Sequence, residues 1–183
     1  MTVVHRDKNA DFRMPESSVE IERKFLVDKL PESLDQFSSR EILQGYLAVT
    51  RGGTEVRIRR RGNKCSLTVK HGAGKTRTEE EIRISERQFL SLWELTGSKR
   101  VKKRRYCIPY GGLKIEVDVY QEGLKGLITA EVEFSSGEVS NGFRPPPWLG
   151  TEITYDESYK NRNLALRGIP PKSRAVAGGR SSN

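Results

Sequence analysis

Two carboxylates and an ammonium stand at every second position near the start of the chain. Within Val19–Phe25, the charged residues Glu20, Glu22 and Lys24 alternate with apolar ones, and only Arg23 interrupts the apolar series. A period of two is typical of a β-strand with two different faces. Like charges two residues apart on one face repel unless a metal ion, or a lysine or arginine of a neighbouring strand, lies between them. For this segment alone, a solvated edge strand is the simpler interpretation.

The same alternation recurs in later segments. They are Ile42–Thr50, Glu55–Arg61, Lys64–Lys70, Arg77–Ile84, Val101–Ile108, Leu113–Tyr120 and Leu127–Phe134. Short glycine-containing turns separate several of them, which favours antiparallel pairing of successive strands. Apolar spacing predicts a helix over Ser85–Gly97, another near the end of Tyr155–Leu166 and a loop with a short helix over Lys29–Ser39. Residues 135–150, rich in proline and glycine, predict a loop. The sequence therefore predicts eight strands and two or three helices.

Charges on the predicted strands come in blocks of one sign. The cationic blocks are Arg57, Arg59 and Arg61, and Lys103 and Arg105; the acidic ones are Glu79 and Glu81, Glu116 and Asp118, and Glu131 and Glu133. A solvated surface normally intersperses the two signs. Hydrophobic residues make up 34% of the chain and charged residues 31%, too few apolar side chains to fill a barrel. We therefore predict an α+β fold: an eight-stranded antiparallel β-barrel, or tunnel, with a charged interior and with helices and a partner subunit packed on its apolar exterior.

A tunnel lined by both cations and carboxylates suits a polyphosphate. The net charge of +9 points to an anionic partner. Arginine binds phosphate oxygens in a bidentate manner, and Mg²⁺ prefers a few carboxylates together with phosphate oxygens and water. Phosphoryl transfer needs positioning and charge neutralisation more than covalent catalysis. A catalytic Ser/His/Asp or Cys/His set is therefore not required.

The length of 183 residues fits one domain. We expect residues 1–16 and 171–183 to be flexible flanks of a tunnel domain over residues 17–170. The sequence shows no membrane span or signal peptide, and Cys65 and Cys107 form no zinc or redox motif. A cytoplasmic protein with reduced thiols is the expectation.

The charged segments resemble a known family. Glu20-x-Glu22-x-Lys24 resembles the ExExK signature of the CYTH domain, or triphosphate tunnel metalloenzyme, family. Further motifs in family order are Gly45-Tyr46-Leu47, Val56-Arg57-Ile58-Arg59, Leu67-Thr68-Val69-Lys70, Arg77-x-Glu79-x-Glu81, Lys103-x-Arg105-Tyr106, Glu116-Val117-Asp118 and Ala130-Glu131-Val132-Glu133-Phe134. The resemblance covers Val19 to Leu164 and is greatest to the compact bacterial inorganic triphosphatases.

The resemblance implies a homodimeric tunnel enzyme that binds triphosphates with Mg²⁺ or Mn²⁺. It implies metal ligation by Glu20, Glu22, Glu131 and Glu133. It implies phosphate binding by Lys24, Arg57, Arg59, Lys70, Lys103 and Arg105. It implies that Glu79, Glu81, Glu116 and Asp118 orient those cations or the attacking water.

Two residues are candidates for the general base. Tyr46 shares its strand face with Gln44, and nearby cations could lower the pKa of its phenol so that it accepts a proton. The alternative is an ordinary hydrogen bond from Tyr46 to a phosphate or carboxylate. Lys103 is the second candidate, and its alternative is a phosphate contact alone.

The expected reaction is hydrolysis of tripolyphosphate to pyrophosphate and phosphate. Other activities of the family stay open: class IV adenylyl cyclase, and thiamine or nucleoside triphosphatase. A further alternative is a non-catalytic protein that binds polyphosphate or nucleic acid, but paired carboxylates would repel a polyanion without metal. We therefore expect a small polyanionic substrate, and neither a stable nucleic-acid complex nor a membrane partner.

Overall fold

The computed structural model describes residues 21–72 and 78–171. Its strands are β1 Ile21–Leu26, β2 Ser39–Val49, β3 Glu55–Arg61, β4 Lys64–His71, β5 Thr78–Ile84, β6 Arg100–Tyr110, β7 Leu113–Tyr120 and β8 Ile128–Phe134. Its α-helices are α1 Glu86–Leu95, α2 Gly137–Gly142 and α3 Asn161–Arg167. Short 3-10 helices cover Leu34–Gln36, Glu122–Leu124 and Glu157–Tyr159. Among these helices, none is both long and apolar enough to cross a lipid bilayer.

All eight strands form one antiparallel sheet in the order β1-β8-β7-β6-β2-β3-β4-β5. The predicted eight-stranded antiparallel tunnel fold is confirmed. Within the described ranges, β1 and β5 are the edges of the sheet and do not pair with each other. The sheet is therefore not closed by hydrogen bonds all the way round.

A separate segment covers the outer edge of β1. The Gly150 amide donates to the Leu26 carbonyl at 2.8 Å, and the Ile153 amide donates to the Lys24 carbonyl at 2.8 Å. These bonds satisfy backbone groups of β1 that would otherwise face solvent. This part of β1 is thus occupied and cannot pair with β5.

The exterior of β2, β3 and β4 packs against α1. Phe89 of α1 is buried with Ile58 of β3 and Cys65 of β4. A capping box between Ser85 and Gln88 starts the helix, as the sequence predicted for this position. The apolar exterior under a helix is therefore confirmed here.

The exterior of β1, β6, β7 and β8 is covered differently. Phe25, Val117 and Val132 pack with Phe143, which follows α2. The predicted loop over residues 135–150 contains the six-residue helix α2, so that prediction is wrong for Gly137–Gly142. Its signal was local, since Ser136 accepts a hydrogen bond from the Val139 amide.

One end of the charged face is closed by an apolar cluster. Val101 of β6 and Tyr120 of β7 point to the same face as the charged residues, yet they are buried with Leu164 of α3. The Tyr120 hydroxyl donates to Asn161 Oδ1 at 2.9 Å, which ties α3 to the sheet. Access to the charged face is therefore limited at this end.

Several predictions concern residues outside the described ranges. They are the flexibility of residues 1–16 and of 172–183, and the position of Glu20. They stay predictions.

Gly45 should be essential for packing of α1. A Cβ at this position would lie 2.6 Å from Thr96 Cγ2, and Thr96 is fully buried at the end of α1. We expect Gly45→Ala to destabilise the protein by about 2 kcal/mol through overpacking, a fall in Tm of roughly 4–8 °C. Thermal unfolding followed by circular dichroism measures it.

The matched control is Gly123→Ala, because a Cβ there meets no atom within 4 Å. Unchanged Tm in Gly45→Ala would contradict the packing at this position. Partial recovery in Gly45→Ala combined with Thr96→Ser would assign the clash to the Thr96 methyl group.

Candidate active site

Strand register brings the predicted site residues to one face of the sheet. Glu22 of β1 lies opposite Glu133 of β8, and Lys24 lies opposite Glu131. Glu131 in turn lies opposite Glu116 of β7. Because side chains alternate along each strand, these partners share a face with the basic residues of β3, β4 and β6. Glu20 lies outside the described residues.

Arg105 is the centre of the most buried ion cluster. Its Nε donates to Asp118 Oδ1 at 2.7 Å, and its Nη2 lies 2.6 Å from both Asp118 Oδ2 and Glu131 Oε2. It also pairs with Glu116. Burial disfavours the charge of Arg105, but these carboxylates outweigh it and raise the pKa of the guanidinium well above its ordinary value. Arg105 thus links β6, β7 and β8 across two strand intervals.

Lys24 and Glu131 form a second buried pair. Lys24 Nζ lies 2.9 Å from Glu131 Oε1 and donates to the Tyr159 carbonyl at 3.1 Å. Burial works against both charges, but Tyr120 and Glu131 raise the pKa of Lys24. Burial also opposes ionisation of Glu131, yet Lys24 and Arg105 hold the pKa of its carboxyl far below the usual range. Both groups are therefore charged at neutral pH.

Cations of β3 and β4 face carboxylates of β5. Arg59 Nη2 lies 3.0 Å from Glu81 Oε2, and Lys70 Nζ lies 2.6 Å from Glu79 Oε2. Arg57 Nη2 is 3.8 Å from Glu79, and its Nε is buried without a hydrogen-bond partner among the described residues. A buried donor without an acceptor is costly, so this nitrogen favours an oxygen from a bound group.

Arg59 experiences an excess of positive charge. Burial is the largest effect and lowers the pKa of the Arg59 guanidinium. Arg57 and Arg105 lower it further, whereas Glu81 raises it. The carboxylates of β5 thus neutralise only part of the positive charge of the β3 arginines. An anion at this point would relieve the repulsion.

Lys103 is buried and forms an ion pair. It is 2% exposed, and its ammonium lies 2.6 Å from Asp118 Oδ2 and 5.2 Å from the centre of the Tyr120 ring. Asp118 is fully buried and is shared by Lys103 and Arg105. This geometry fits positioning of Asp118 better than direct contact with a substrate.

The expected lowering of the pKa of Tyr46 is wrong. Tyr46 is buried, and burial together with Glu55 raises the pKa of its phenol, an effect that Arg57 reduces but does not reverse. Gln44 Nε2 donates to the Tyr46 hydroxyl oxygen at 2.5 Å. The raised pKa favours the protonated phenol. The role of Tyr46 as a general base stays a prediction, as does its hydrogen bond to a phosphate or carboxylate.

The carboxylates suit a hard divalent cation at one position. Glu22 and Glu133 face each other on neighbouring strands, where like charges destabilise the pair unless a cation lies between them. Oxygen donors of this kind suit Mg²⁺ or Mn²⁺. Glu131 already engages Lys24 and Arg105. Within residues 21–72 and 78–171, no group of three acidic, histidine or cysteine side chains is arranged to hold a metal. Ligation by Glu20, Glu22, Glu131 and Glu133 therefore stays a prediction.

Sequence reasoning missed neutral polar residues on the charged face. Thr68 donates to Glu81 at 3.2 Å, and Gln44 supports Tyr46. Thr129 is fully buried with its hydroxyl unpaired within the described chain. Their positions on the same strand faces as the charged residues were a signal that could have identified them.

The chain matches the CYTH domain over residues 18–142. It is 42% identical over 149 residues to an inorganic triphosphatase of Nitrosomonas europaea, covering 80% of this chain and 97% of the relative. It is 34% identical over 151 residues to an inorganic triphosphatase of Acetivibrio thermocellus, covering 79% and 92%. The crystal structure of the inorganic triphosphatase NE1496 is similar with a TM-score of 0.69 and 39% identity, covering 84% of this chain and 98% of that one. These matches confirm the resemblance drawn from the motifs: the chain belongs to the CYTH domain family.

Proposed function

We propose that this protein is an inorganic triphosphatase that hydrolyses tripolyphosphate to pyrophosphate and phosphate with Mg²⁺ or Mn²⁺. The observation that carries the proposal is that the predicted phosphate-binding cations share one face of one sheet, and each is paired with a carboxylate on that face. Both curated relatives are inorganic triphosphatases, which supports the same reaction.

Substrate binding would exchange carboxylate partners for phosphate oxygens. Arg57, Arg59 and Lys70 lie on neighbouring strands with their charged ends towards Glu79 and Glu81, whose side chains are 40% and 45% exposed. Exposed carboxylates can turn into solvent at little cost, whereas the side chains of Arg57, Arg59 and Lys70 are only 14%, 25% and 13% exposed. Arginine then binds phosphate oxygens in a planar, bidentate manner, and the buried Arg57 Nε gains an acceptor.

The strands β1 and β8 would hold the metal on the same charged face, beside the cations Lys24 and Arg105. Glu22 and Glu133 are the described residues that fit a divalent ion, with Glu20 predicted as a third ligand. When bound, such an ion neutralises phosphate charge and favours attack by water. Lys24 and Arg105 supply fixed positive charge towards Glu131, which keeps this wall organised before the substrate arrives.

Lys103 and Asp118 act as positioning residues in this proposal. Asp118 holds Arg105 through both carboxylate oxygens, and Lys103 compensates the remaining charge. In the reaction a water oxygen bonds to a terminal phosphorus as the anhydride P–O bond breaks. Pyrophosphate leaves with the electron pair, and the proton of the water passes to product or solvent.

We further propose a homodimer and a cytoplasmic location. Exposed apolar side chains of β5 and α1, at Ile82, Leu90 and Leu95, support a partner surface. Cys65 and Cys107 are not joined in a disulfide, which fits a reducing compartment.

A phosphate-release screen tests the proposed function directly. The purified protein is supplied with tripolyphosphate, ATP and thiamine triphosphate, each with Mg²⁺, with Mn²⁺ and with excess EDTA. We expect the highest kcat/KM with tripolyphosphate and loss of activity with EDTA. Preference for ATP or thiamine triphosphate would instead support the other activities of the family, and absence of turnover with metal would support a binding protein.

Arg59 should be essential, whereas its neighbour Arg60 should not. Arg59 lies on the charged face, while Arg60 lies on the opposite face beside Phe89 and Glu86. We expect Arg59→Ala to lower kcat/KM for tripolyphosphate by roughly 10²–10³, because one preorganised charge on the transferring group is lost. Arg60→Ala is the matched control and should retain the turnover of the unmodified protein. Near-normal turnover in Arg59→Ala would refute this assignment.

The folded protein should become less stable at acidic pH because Glu131 becomes protonated. The pKa of its carboxyl is lower in the folded state than in the unfolded chain, so the unfolded state binds more protons as the pH falls. The contribution of Glu131 is therefore present above the ordinary carboxyl range of about pH 4.3 and is lost progressively below it. We expect the drop in Tm from neutral to acidic pH to be smaller in Glu131→Gln, although its Tm at neutral pH is lower because Lys24 loses its partner.

The control for this titration is Glu94→Gln, an exposed carboxylate of α1. It should follow the acid dependence of the unmodified protein. Parallel Tm profiles for Glu131→Gln and the unmodified protein would show that Glu131 is not part of the ionised cluster.

A further inference from the structure

In the described part of the chain, three cations on the charged face lack the carboxylate partner that the phosphate-binding candidates have. Arg61, Lys64 and Arg83 have no carboxylate within ion-pair distance in residues 21–72 and 78–171. Every phosphate-binding candidate of the site has such a partner. An uncompensated group of cations is an anion-binding feature rather than a structural ion network.

The three cations are brought together by strand register. Arg61 lies opposite Lys64 across the β3–β4 hairpin, and Arg83 lies opposite Ser66 on β4. They line a cavity of about 250 Å³ together with Arg59 and Glu81. We call Arg61, Lys64 and Arg83 the basic rim. Since Arg59 and Glu81 belong to the proposed active site, the cavity is continuous with that site.

The basic rim lies at the open end of the charged face. Tyr46, which is fully buried, lies opposite Arg57. Arg59 and Arg61 follow at intervals of two residues, each roughly 6.5 Å further along the strand. Exposure rises along the same path, because Arg57 and Arg59 are partly buried and Arg61 is exposed. A chain of phosphates bound at Arg57 and Arg59 would therefore extend towards the rim.

The lining of the cavity favours phosphate over a nucleoside. Of its described lining residues, four are cations and one is a carboxylate, and none carries an aromatic ring on which a base could stack. Ser66, between Arg59 and Arg83, adds a hydroxyl donor on the same face. A further phosphate group adds the negative charge that this composition lacks.

We infer that the basic rim is an extension subsite for linear inorganic polyphosphates longer than three phosphates. The inference rests on the proposed function, since the first three phosphates occupy the proposed active site. The rim then adds binding energy that depends on chain length and that tripolyphosphate does not use in full.

The test compares tripolyphosphate with tetrapolyphosphate. Ion chromatography follows the loss of tripolyphosphate while tetrapolyphosphate competes, so an inhibition constant is obtained whether or not the longer chain is cleaved. We expect tetrapolyphosphate to bind more tightly than tripolyphosphate. In Lys64→Gln combined with Arg83→Gln, the ratio of the tripolyphosphate KM to the tetrapolyphosphate inhibition constant should fall roughly tenfold, because two charged contacts are lost.

The matched control is Arg87→Gln combined with Lys125→Gln, which removes the same charge from exposed positions away from the cavity. It should leave the ratio unchanged. If the rim only attracts anions at long range, both chain lengths weaken equally, and an unchanged ratio in the rim variant would overturn the inference.

Two further readouts separate the possible failures. Absence of tripolyphosphate turnover in the unmodified protein with metal would refute the proposed function and, with it, the subsite. Normal turnover with an unchanged ratio would refute the subsite alone. ATP serves as a third competitor: a larger effect of the rim variant on ATP than on tetrapolyphosphate would assign the rim to a nucleoside instead. Thermal unfolding confirms that the exposed substitutions leave the protein folded.

Discussion

A single buried aspartate holds together the two basic side chains on which the charged face depends. Asp118 is fully buried, accepts hydrogen bonds from Lys103 and Arg105, and has no access to water of its own. Removing an ionised carboxylate from water costs several kcal/mol, which only close and well-oriented cations offset. The cluster is therefore stable as a set: loss of one member leaves a buried charge without compensation. Arg105, fixed in this way, then orders Glu116 and Glu131 on the next strands.

The sheet makes this arrangement possible because it separates two kinds of packing. One face carries the buried ion cluster around Arg105 and Asp118, and the other carries apolar clusters under α1 and around Phe143. A register slip of one residue would turn every ionised side chain into those clusters, so the apolar exterior fixes the register of the charged interior. Arg23 follows the same register although it is charged. Its strand position places it on the exterior, where it stacks on Phe143 and pairs with Glu152.

The strand pattern could be predicted from the sequence because both faces had strong and opposite preferences. Alternation in Leu113–Tyr120 and in Glu55–Arg61 specified which side chains share a face, and the family motifs then specified a tunnel. What could not be predicted depends on contacts distant in sequence. The segment at Gly150 that forms hydrogen bonds with the outer edge of β1 has no alternating pattern of its own. The raised pKa of the Tyr46 phenol was likewise out of reach, because the burial that causes it arises from tertiary packing.

The distribution of paired and unpaired cations also bears on turnover. A tunnel lined by bare arginines would bind phosphates tightly and release products slowly, since every contact would be lost without replacement on release. Glu79 and Glu81 lie beside Lys70 and Arg59. In the proposed function they would act as internal counter-ions that re-form these pairs when phosphate leaves. Such counter-ions would weaken the binding of substrate and product alike, which favours release of the product. In the proposed function, the carboxylates of the charged face would therefore matter as much as the cations, because they would set how strongly an anion is retained.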